Sequence, residues 1–209
     1  MSKSKRVFKC PHCGKELTLE FYDSVNVQND EDLKAQVIAG DIFRFECDKC
    51  HYRFMACYDC LYHDPQNKFM VYLKSSPVPA NEQLMTLLNK GYTLRWCKDI
   101  GSFIEKIEVL SEGLDDRAVE FAKYDSFIDY IQNKGKQEDV TGVYYQGFVD
   151  DILRIKLELD DKALTTMTPY YGLVAEMADY EEMFKIEDPF FACIDPKWII
   201  DIFEGAQAA

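Results

Sequence analysis

Six of the eight cysteines form three Cys-x-x-Cys pairs, a spacing suited to metal chemistry. The pairs are Cys10 with Cys13, Cys47 with Cys50, and Cys57 with Cys60. A two-residue spacer lets one tight turn direct two thiolates at one ion, and two such turns supply the four sulfur ligands of a tetrahedral Zn²⁺. Eight cysteines in 209 residues are far fewer than in disulfide-built scaffolds, so the pairing favours a metal site over cross-links.

The first two pairs have the turn chemistry of a metal site. Pro11 fixes a backbone dihedral directly after the first cysteine, and Gly14 relieves crowding where backbone amides approach the second sulfur. Four cysteine thiolates fill every position around a tetrahedral ion and leave none for water or substrate, which is typical of a structural site. We therefore predict one structural zinc per chain. Its predicted ligands are Cys10, Cys13, Cys47 and Cys50.

The third pair, Cys57 and Cys60, is open to three interpretations. The residues around it favour a strand, where side chains three positions apart point to opposite faces, so shared ligation would require a turn. The pair is interpreted first as buried free thiols, second as competing metal ligands and third as a redox dithiol. A thioredoxin-like dithiol would begin a helix, and no helix is predicted after Cys60. Cys97 and Cys193 stand alone among apolar neighbours and are predicted to pack in the core.

His63 is the one histidine outside the cysteine turns. Beside Asp64 it could do acid–base chemistry, but Asp-Pro followed by Gln-Asn-Lys is also the composition of a hairpin turn. We favour the turn. The sequence contains no glycine-rich phosphate loop, nucleophile elbow or His-Glu-x-x-His stretch, and we predict no catalytic or cofactor-binding residue.

The elements that must position the first two pairs are predicted to be a strand, a helix, a strand and a hairpin. Alternating apolar residues over 17–21 indicate a strand. Acidic residues followed by apolar ones at helical spacing, closed by a glycine, predict a short helix over 29–40, inserted between the two pairs. Further strands are predicted over 42–46, 53–62 and 69–73.

The serine and proline residues at 75–79 indicate a linker. We therefore predict two domains, 1–79 and 80–209. In the second, Asn81 is predicted to cap a helix, a Ser102–Glu105 capping box to begin another, and Asp195 to begin the last. Clear alternation over 153–159 lies within a Tyr-rich stretch, 143–180, that is predicted to be antiparallel sheet. The expected fold class is α+β: a zinc-ribbon-like β-rich module with an inserted helix, then an acidic α+β domain.

The charge is distributed unevenly. Residues 1–79 hold 11 basic and 11 acidic residues, so the whole formal net charge of −13 falls on 80–209. Neither part has the positive surplus that phosphate binding requires, and we expect no nucleic-acid partner. No apolar run is long enough to cross a bilayer, and the basic start is not followed by a signal core. We expect a cytoplasmic protein with no membrane partner.

Four separated segments in the first third of the chain together resemble the CpXC domain family of prokaryotes. They are Cys10-Pro-His-Cys-Gly14, 24–33, 38–47 and 61–73. In that family the two Cys-x-x-Cys elements are the presumed metal ligands, so the resemblance implies the same role for both pairs. The second element differs from the family pattern, with Asp48 in place of Pro and His51 in place of Gly. The resemblance implies a fold and a metal, and no activity.

These observations predict a structural-zinc binding or regulatory module that mediates protein interactions. An exposed sheet edge or the Tyr-rich region could present the surface for a protein partner. The alternative is a thiol-dependent redox enzyme in which Cys57 and Cys60 cycle between dithiol and disulfide.

Overall fold

A computed structural model describes residues 2–28, 30–79, 82–133 and 135–207. Asn81, predicted to cap a helix, lies outside these residues. The strands are β1 (Ser2–Lys9), β2 (Glu16–Asn26), β3 (Arg44–Glu46), β4 (Arg53–Met55), β5 (Cys60–Asp64), β6 (Phe69–Leu73), β7 (Thr93–Cys97), β8 (Val140–Val149), β9 (Ile152–Leu159) and β10 (Ala163–Pro169). The helices are α1 (Glu31–Ile38), α2 (Glu82–Asn89), α3 (Ile100–Ser111), α4 (Asp116–Asn133), α5 (Tyr170–Asp179) and α6 (Pro196–Gln207). The fold is α+β, which confirms the predicted class.

The chain divides into two compact units. The first comprises residues 1–107 with 188–192, and the second 108–187 with 193–209. The boundary of these units differs from that of the predicted domains, 1–79 and 80–209. Strand β7 lies after the predicted linker but pairs with β6, which lies before it. As independently folding parts, 1–79 and 80–209 remain a prediction.

The first unit is built on a mixed five-stranded sheet with the order β1-β2-β5-β6-β7. The pairs β1–β2 and β5–β6 are antiparallel, whereas β2–β5 and β6–β7 are parallel. A separate antiparallel pair, β3–β4, follows the inserted helix α1. The predicted strand over 53–62 is therefore two strands in two sheets, since residues 56–59 leave the ladder.

The inserted helix α1 forms where the sequence predicts it. The Asp30 carboxylate accepts a hydrogen bond from the backbone N–H of Leu33 at 2.9 Å and so caps the helix. Leu33 and Val37 lie one turn apart and are buried. Gly40, just past the last turn, has φ = +74°, the left-handed conformation that ends a helix without the strain of a side chain.

The second unit packs helices on one face of a three-stranded antiparallel sheet with the order β10-β9-β8. In β9, Leu153, Ile155 and Leu157 are fully buried, while Arg154 between them is exposed, which confirms the predicted half-buried strand. The buried face joins the apolar side chains of α4, α5 and α6 in one core. The predicted antiparallel stretch 143–180 is correct to Pro169 and wrong beyond it, where α5 begins.

One predicted helix start is wrong. Helix α3 begins before the Ser102–Glu105 capping box, at Ile100. The carboxylate of Asp99 accepts hydrogen bonds from the backbone N–H of Ser102 at 2.8 Å and from its hydroxyl at 2.7 Å. Asp99 is therefore the cap, and Ser102 is one of its donors.

No helix within the described residues combines the length and the apolar character that crossing a membrane requires.

Candidate metal centre

Two turns of the same geometry carry the first two cysteine pairs. In the first turn, between β1 and β2, the N–H of Gly14 donates to the Cys10 carbonyl at 3.0 Å and the N–H of Cys10 to the Lys15 carbonyl at 2.8 Å. In the second turn, between β3 and β4, the backbone N–H of His51 donates to the Cys47 carbonyl at 2.9 Å. The backbone N–H of Cys47 donates to the Tyr52 carbonyl at 3.0 Å. Each turn therefore contains the same two backbone hydrogen bonds, at the same sequence distances from its first cysteine.

The two departures from the family pattern leave the second turn intact. Gly14 ends the first turn at φ = +69°, and His51 occupies the equivalent left-handed position at φ = +55°. Histidine is among the residues that adopt this region more often than most. The carboxylate of Asp48, in the second turn, forms a salt bridge with Lys15 Nζ at 2.7 Å. Because Lys15 directly follows the first turn, this salt bridge connects the two turns. This hydrogen bond raises the pKa of Lys15 and lowers the pKa of Asp48.

The four thiols converge on one point. The Sγ atoms of Cys10 and Cys50 lie 3.7 Å apart, those of Cys13 and Cys47 also 3.7 Å apart, and all four lie within 4.8 Å of one another. A disulfide would require about 2.05 Å. A tetrahedron of sulfurs around an ion with bonds of about 2.3 Å has edges of about 3.8 Å, which the two separations of 3.7 Å match.

The environments of Cys47 and Cys50 shift their thiol pKa values in opposite directions. Burial opposes ionisation of Cys47, but the backbone amides of Cys50 and Lys49 donate to its sulfur and outweigh it, so its pKa falls to about 6. At Cys50 the backbone amide of Tyr52 favours the thiolate, but burial and the neighbouring cysteine sulfurs prevail and raise its pKa. Four thiolates this close together require a positive ion between them.

Aromatic side chains support the two turns. We use the name cysteine ribbon for residues 8–19 and 44–55, which contain both turns and the strand segments beside them. Phe8 and Phe54 stack with ring centroids 5.5 Å apart. At the turns themselves, His12 and Tyr52 stack at 5.1 Å and 16°. The sequence analysis did not predict this second stack or the Lys15–Asp48 ion pair. Each joins residues from different turns, and no sequence spacing or composition indicates that these residues meet.

The third cysteine pair is not part of the cluster. Cys60 is buried, and burial raises its pKa to about 12. Cys57 is exposed, so the first interpretation, buried free thiols, is correct for Cys60 and wrong for Cys57. Partial desolvation of its sulfur, together with the negative charges of Asp99 and Asp59, raises the pKa of Cys57 too. Of the isolated cysteines, Cys97 is buried as predicted, while Cys193 is half-buried.

The hairpin interpretation of His63 and Asp64 agrees with the structure. Asp64 ends β5, and its carboxylate accepts hydrogen bonds from the backbone N–H of Asn67 at 3.0 Å and from its side-chain amide at 2.9 Å. Lys34 Nζ lies 3.8 Å from the same carboxylate. The imidazole of His63 lies 3.5 Å from the Tyr92 hydroxyl, and its burial lowers its pKa. Asp64 therefore holds the turn.

The comparisons with known proteins agree with the geometry. A family model described as CpXC protein matches residues 8–123, more than half of the chain and all of both cysteine turns. Neither a curated protein nor a solved structure matches the chain. The match extends well beyond the four segments that carry the sequence resemblance and reaches into α4. The chain therefore belongs to the CpXC family.

Proposed function

We propose that this protein binds one structural zinc ion through Cys10, Cys13, Cys47 and Cys50 and acts as a binding module for a protein partner. The observation that carries the zinc assignment is the convergence of four sulfurs from two matched turns, all within 4.8 Å of one another and two pairs of them 3.7 Å apart. Four soft thiolates in a tetrahedral arrangement favour zinc over magnesium or calcium, which prefer oxygen ligands.

A structural role follows from the ligand set. Four protein thiolates complete the coordination of zinc, so no position remains for a water or a substrate. Cys10 and Cys47 are also buried, which shields the ion from solution. In small zinc modules the free energy of metal binding, on the order of 10 kcal/mol, is largely free energy of folding.

Metal analysis of purified protein tests the assignment. We expect one zinc per chain by mass spectrometry of the metal, lost in Cys10→Ser and in Cys47→Ser. Cys57→Ser is the matched control, because Cys57 lies in the same unit and outside the cluster. It should retain one zinc. Zinc lost from the control and kept by Cys47→Ser would overturn the ligand set.

The open face of the three-stranded sheet supports a protein partner. Tyr144, Val149 and Met167 lie on β8 and β10, and their side chains are 44, 50 and 69% exposed. Exposed Arg154 lies on β9 between them, and the neighbouring half-buried Lys156 forms a salt bridge with Glu158. Large exposed apolar side chains together with arginine are typical of a protein interface. We propose that this face meets the partner, in the cytoplasm.

Site-specific cross-linking tests the surface. A photoreactive amino acid at Met167 should capture a defined protein in a lysate of the native host, and the same group at Lys197, which is exposed on α6, should not. Capture that is equal at both positions, or none at Met167, would contradict the assignment of the interface to this face.

The redox alternative has no support from the thiol chemistry. A redox-active dithiol requires a thiolate that forms near neutral pH. The pKa values of Cys57 and Cys60 are both raised instead, chiefly by burial.

A further inference from the structure

Strand β1 forms an open edge of the five-stranded sheet in the first unit. It is the first strand in the order β1-β2-β5-β6-β7, and among the described strands it pairs with β2. Its eight residues exceed the usual strand length of about five or six. An open edge presents a row of backbone N–H and C=O groups, with which another extended strand can pair.

The register of the β1–β2 hairpin shows which backbone groups of β1 face this edge. The N–H of Cys10 donates to the Lys15 carbonyl at 2.8 Å, so these two residues form a hydrogen-bonded pair. Hydrogen-bonded and non-hydrogen-bonded pairs alternate along antiparallel strands, so Lys9, Val7 and Lys5 belong to pairs of the second kind. Their backbone N–H and C=O groups therefore point away from β2.

The side chains at these three positions form an alternating pattern on one exposed face of the strand. Val7 is 67% exposed, and Lys5 and Lys9 on either side of it are exposed as well. Neither lysine forms a salt bridge with a described residue, although Glu20 and Glu16 lie opposite them on β2. On an added strand, acidic residues opposite the two lysines would form cross-strand ion pairs, and an apolar residue opposite Val7 would cover it.

This pattern distinguishes between the occupants that an open edge can accept. A second copy of β1, paired antiparallel about Val7, would place Lys5 opposite Lys9, and like charges directly opposite each other are unfavourable. A nucleic acid or a free anion lacks the row of donors and acceptors that matches a strand edge, and it would also meet the outward carbonyl oxygens. The charge and the backbone groups together favour an acidic strand.

We propose that the open edge of β1 binds an extended segment of a protein partner in which two acidic residues flank an apolar one at alternate positions. The backbone of the segment pairs with the outward N–H and C=O groups of β1, and its acidic side chains lie opposite Lys5 and Lys9. This edge is in the first unit and the open face of the three-stranded sheet is in the second, so the proposal does not rest on the proposed function.

Three heptapeptides with blocked termini, titrated into the intact chain and followed by NMR, test the proposal. The first, Thr-Glu-Thr-Val-Thr-Glu-Thr, has the proposed spacing. The second, Thr-Thr-Glu-Glu-Val-Thr-Thr, has the same composition with adjacent glutamates, and the third has lysine in place of both glutamates of the first. The first should shift the backbone amide resonances of Lys5, Val7 and Lys9. It should bind about threefold more tightly than the second and at least about tenfold more tightly than the third. No shifts in β1, or equal affinity for the first peptide and either of the others, would overturn the proposal.

A proline substitution tests the backbone pairing. Val7→Pro removes an N–H group that faces away from β2, and proline is tolerated at such a position of an edge strand, so the hairpin should still form. The first peptide should bind at least about tenfold more weakly, because it loses a hydrogen bond and meets the proline ring. Val7→Thr is the control, since it keeps the N–H and should bind with nearly unchanged affinity. Equal affinity in the proline and threonine variants would contradict strand addition.

A charge variant tests the selection of the acidic residues. In Lys5→Gln, Lys9→Gln the preference for the first peptide over the third should fall towards one. The matched control is Lys185→Gln, Lys197→Gln, which removes the same charge from exposed positions in the second unit and should keep the preference. A preference that is unchanged in the first double variant would overturn the proposal. If Val7→Pro does not fold, this comparison still decides whether the edge of β1 recognises the segment.

Discussion

The cysteine ribbon and the helix-covered sheet of the second unit are stabilised by different means. Around the two turns, the buried core among the described residues is Cys10, Leu17 and Cys47, and two of these three are cysteines. In the described part of the second unit, fifteen buried side chains form one core, which includes the fully buried Leu153, Ile155 and Leu157. A buried leucine contributes about 1.5–3 kcal/mol, whereas a four-thiolate zinc contributes on the order of 10 kcal/mol.

This difference shows that a metal site can stabilise a segment in place of a large apolar core. A segment too short to bury a large apolar core can still hold a defined structure when its buried groups are ligands of one ion. Among its described residues the helix-covered sheet has no such cluster of ligands, so its stability depends on buried apolar area. The two regions should therefore respond to opposite perturbations, and the predictions below separate them.

Removal of the metal should give the largest effect, and only in the cysteine ribbon. Cys47→Ser, or a strong chelator, should abolish hydrogen-exchange protection of peptides from 8–19 and 44–55, because in the proposed zinc module metal binding supplies most of the free energy of folding. Peptides from 152–159 should keep their protection. The control Cys57→Ser should leave both regions protected. Loss of protection in the helix-covered sheet as well would show that the two regions do not differ in this way.

The reverse perturbation is a cavity in the helix-covered sheet. Leu157 is fully buried in the core of the second unit, so Leu157→Ala should reduce the free energy of unfolding by about 2–5 kcal/mol. Met167→Ala, on the open face of the same sheet, should change it by less than about 0.5 kcal/mol. Urea denaturation gives both values. The zinc content should stay at one per chain in both variants, and loss of zinc in Leu157→Ala would contradict the separation.

The features that the sequence predicted are those with a local chemical signature. The two-residue cysteine spacers, the Asp30 cap of α1 and the alternation of β9 each depend on residues a few positions apart. Such short-range patterns follow directly from turn, helix and strand geometry. The grouping of the two turns was predictable as well, since each pair by itself supplies only half of a tetrahedral site.

The features that the sequence did not predict depend on distant partners or on exposure. Strand β1 has charged and polar residues on both faces and is an edge strand, so it lacks the hydrophobic alternation that marks a strand. Helix α5 is initiated by Asp151, whose carboxylate accepts from the N–H of Tyr171 at 2.9 Å across 20 residues. No local pattern contains that cap, and the Tyr-rich sequence by itself favours a strand.

A buried carboxylate in the first unit should give an intermediate effect. Asp64→Ala removes the acceptor of two hydrogen bonds from Asn67 and the partner of Lys34, and we expect a loss of about 1–3 kcal/mol. Asp59→Ala breaks a more exposed salt bridge, to Lys74 at 3.0 Å, and should cost less than about 1 kcal/mol. Both variants should bind one zinc. Equal losses in urea denaturation would show that the burial of Asp64 adds nothing to the turn.

The smallest expected effect is the pH dependence of His63. Burial lowers its pKa in the folded protein, although Asp64 partly opposes this shift, while the unfolded chain keeps a value of about 6.5. The unfolded state therefore takes up a proton first, and the folded state loses stability as the pH falls below about 6.5. His63→Gln should lose less stability than the natural protein between pH 7.5 and 5.5. Both proteins share any pH dependence that comes from the metal site, so the difference between them at each pH isolates His63. The same change in free energy of unfolding with pH in both proteins would contradict the lowered pKa of His63.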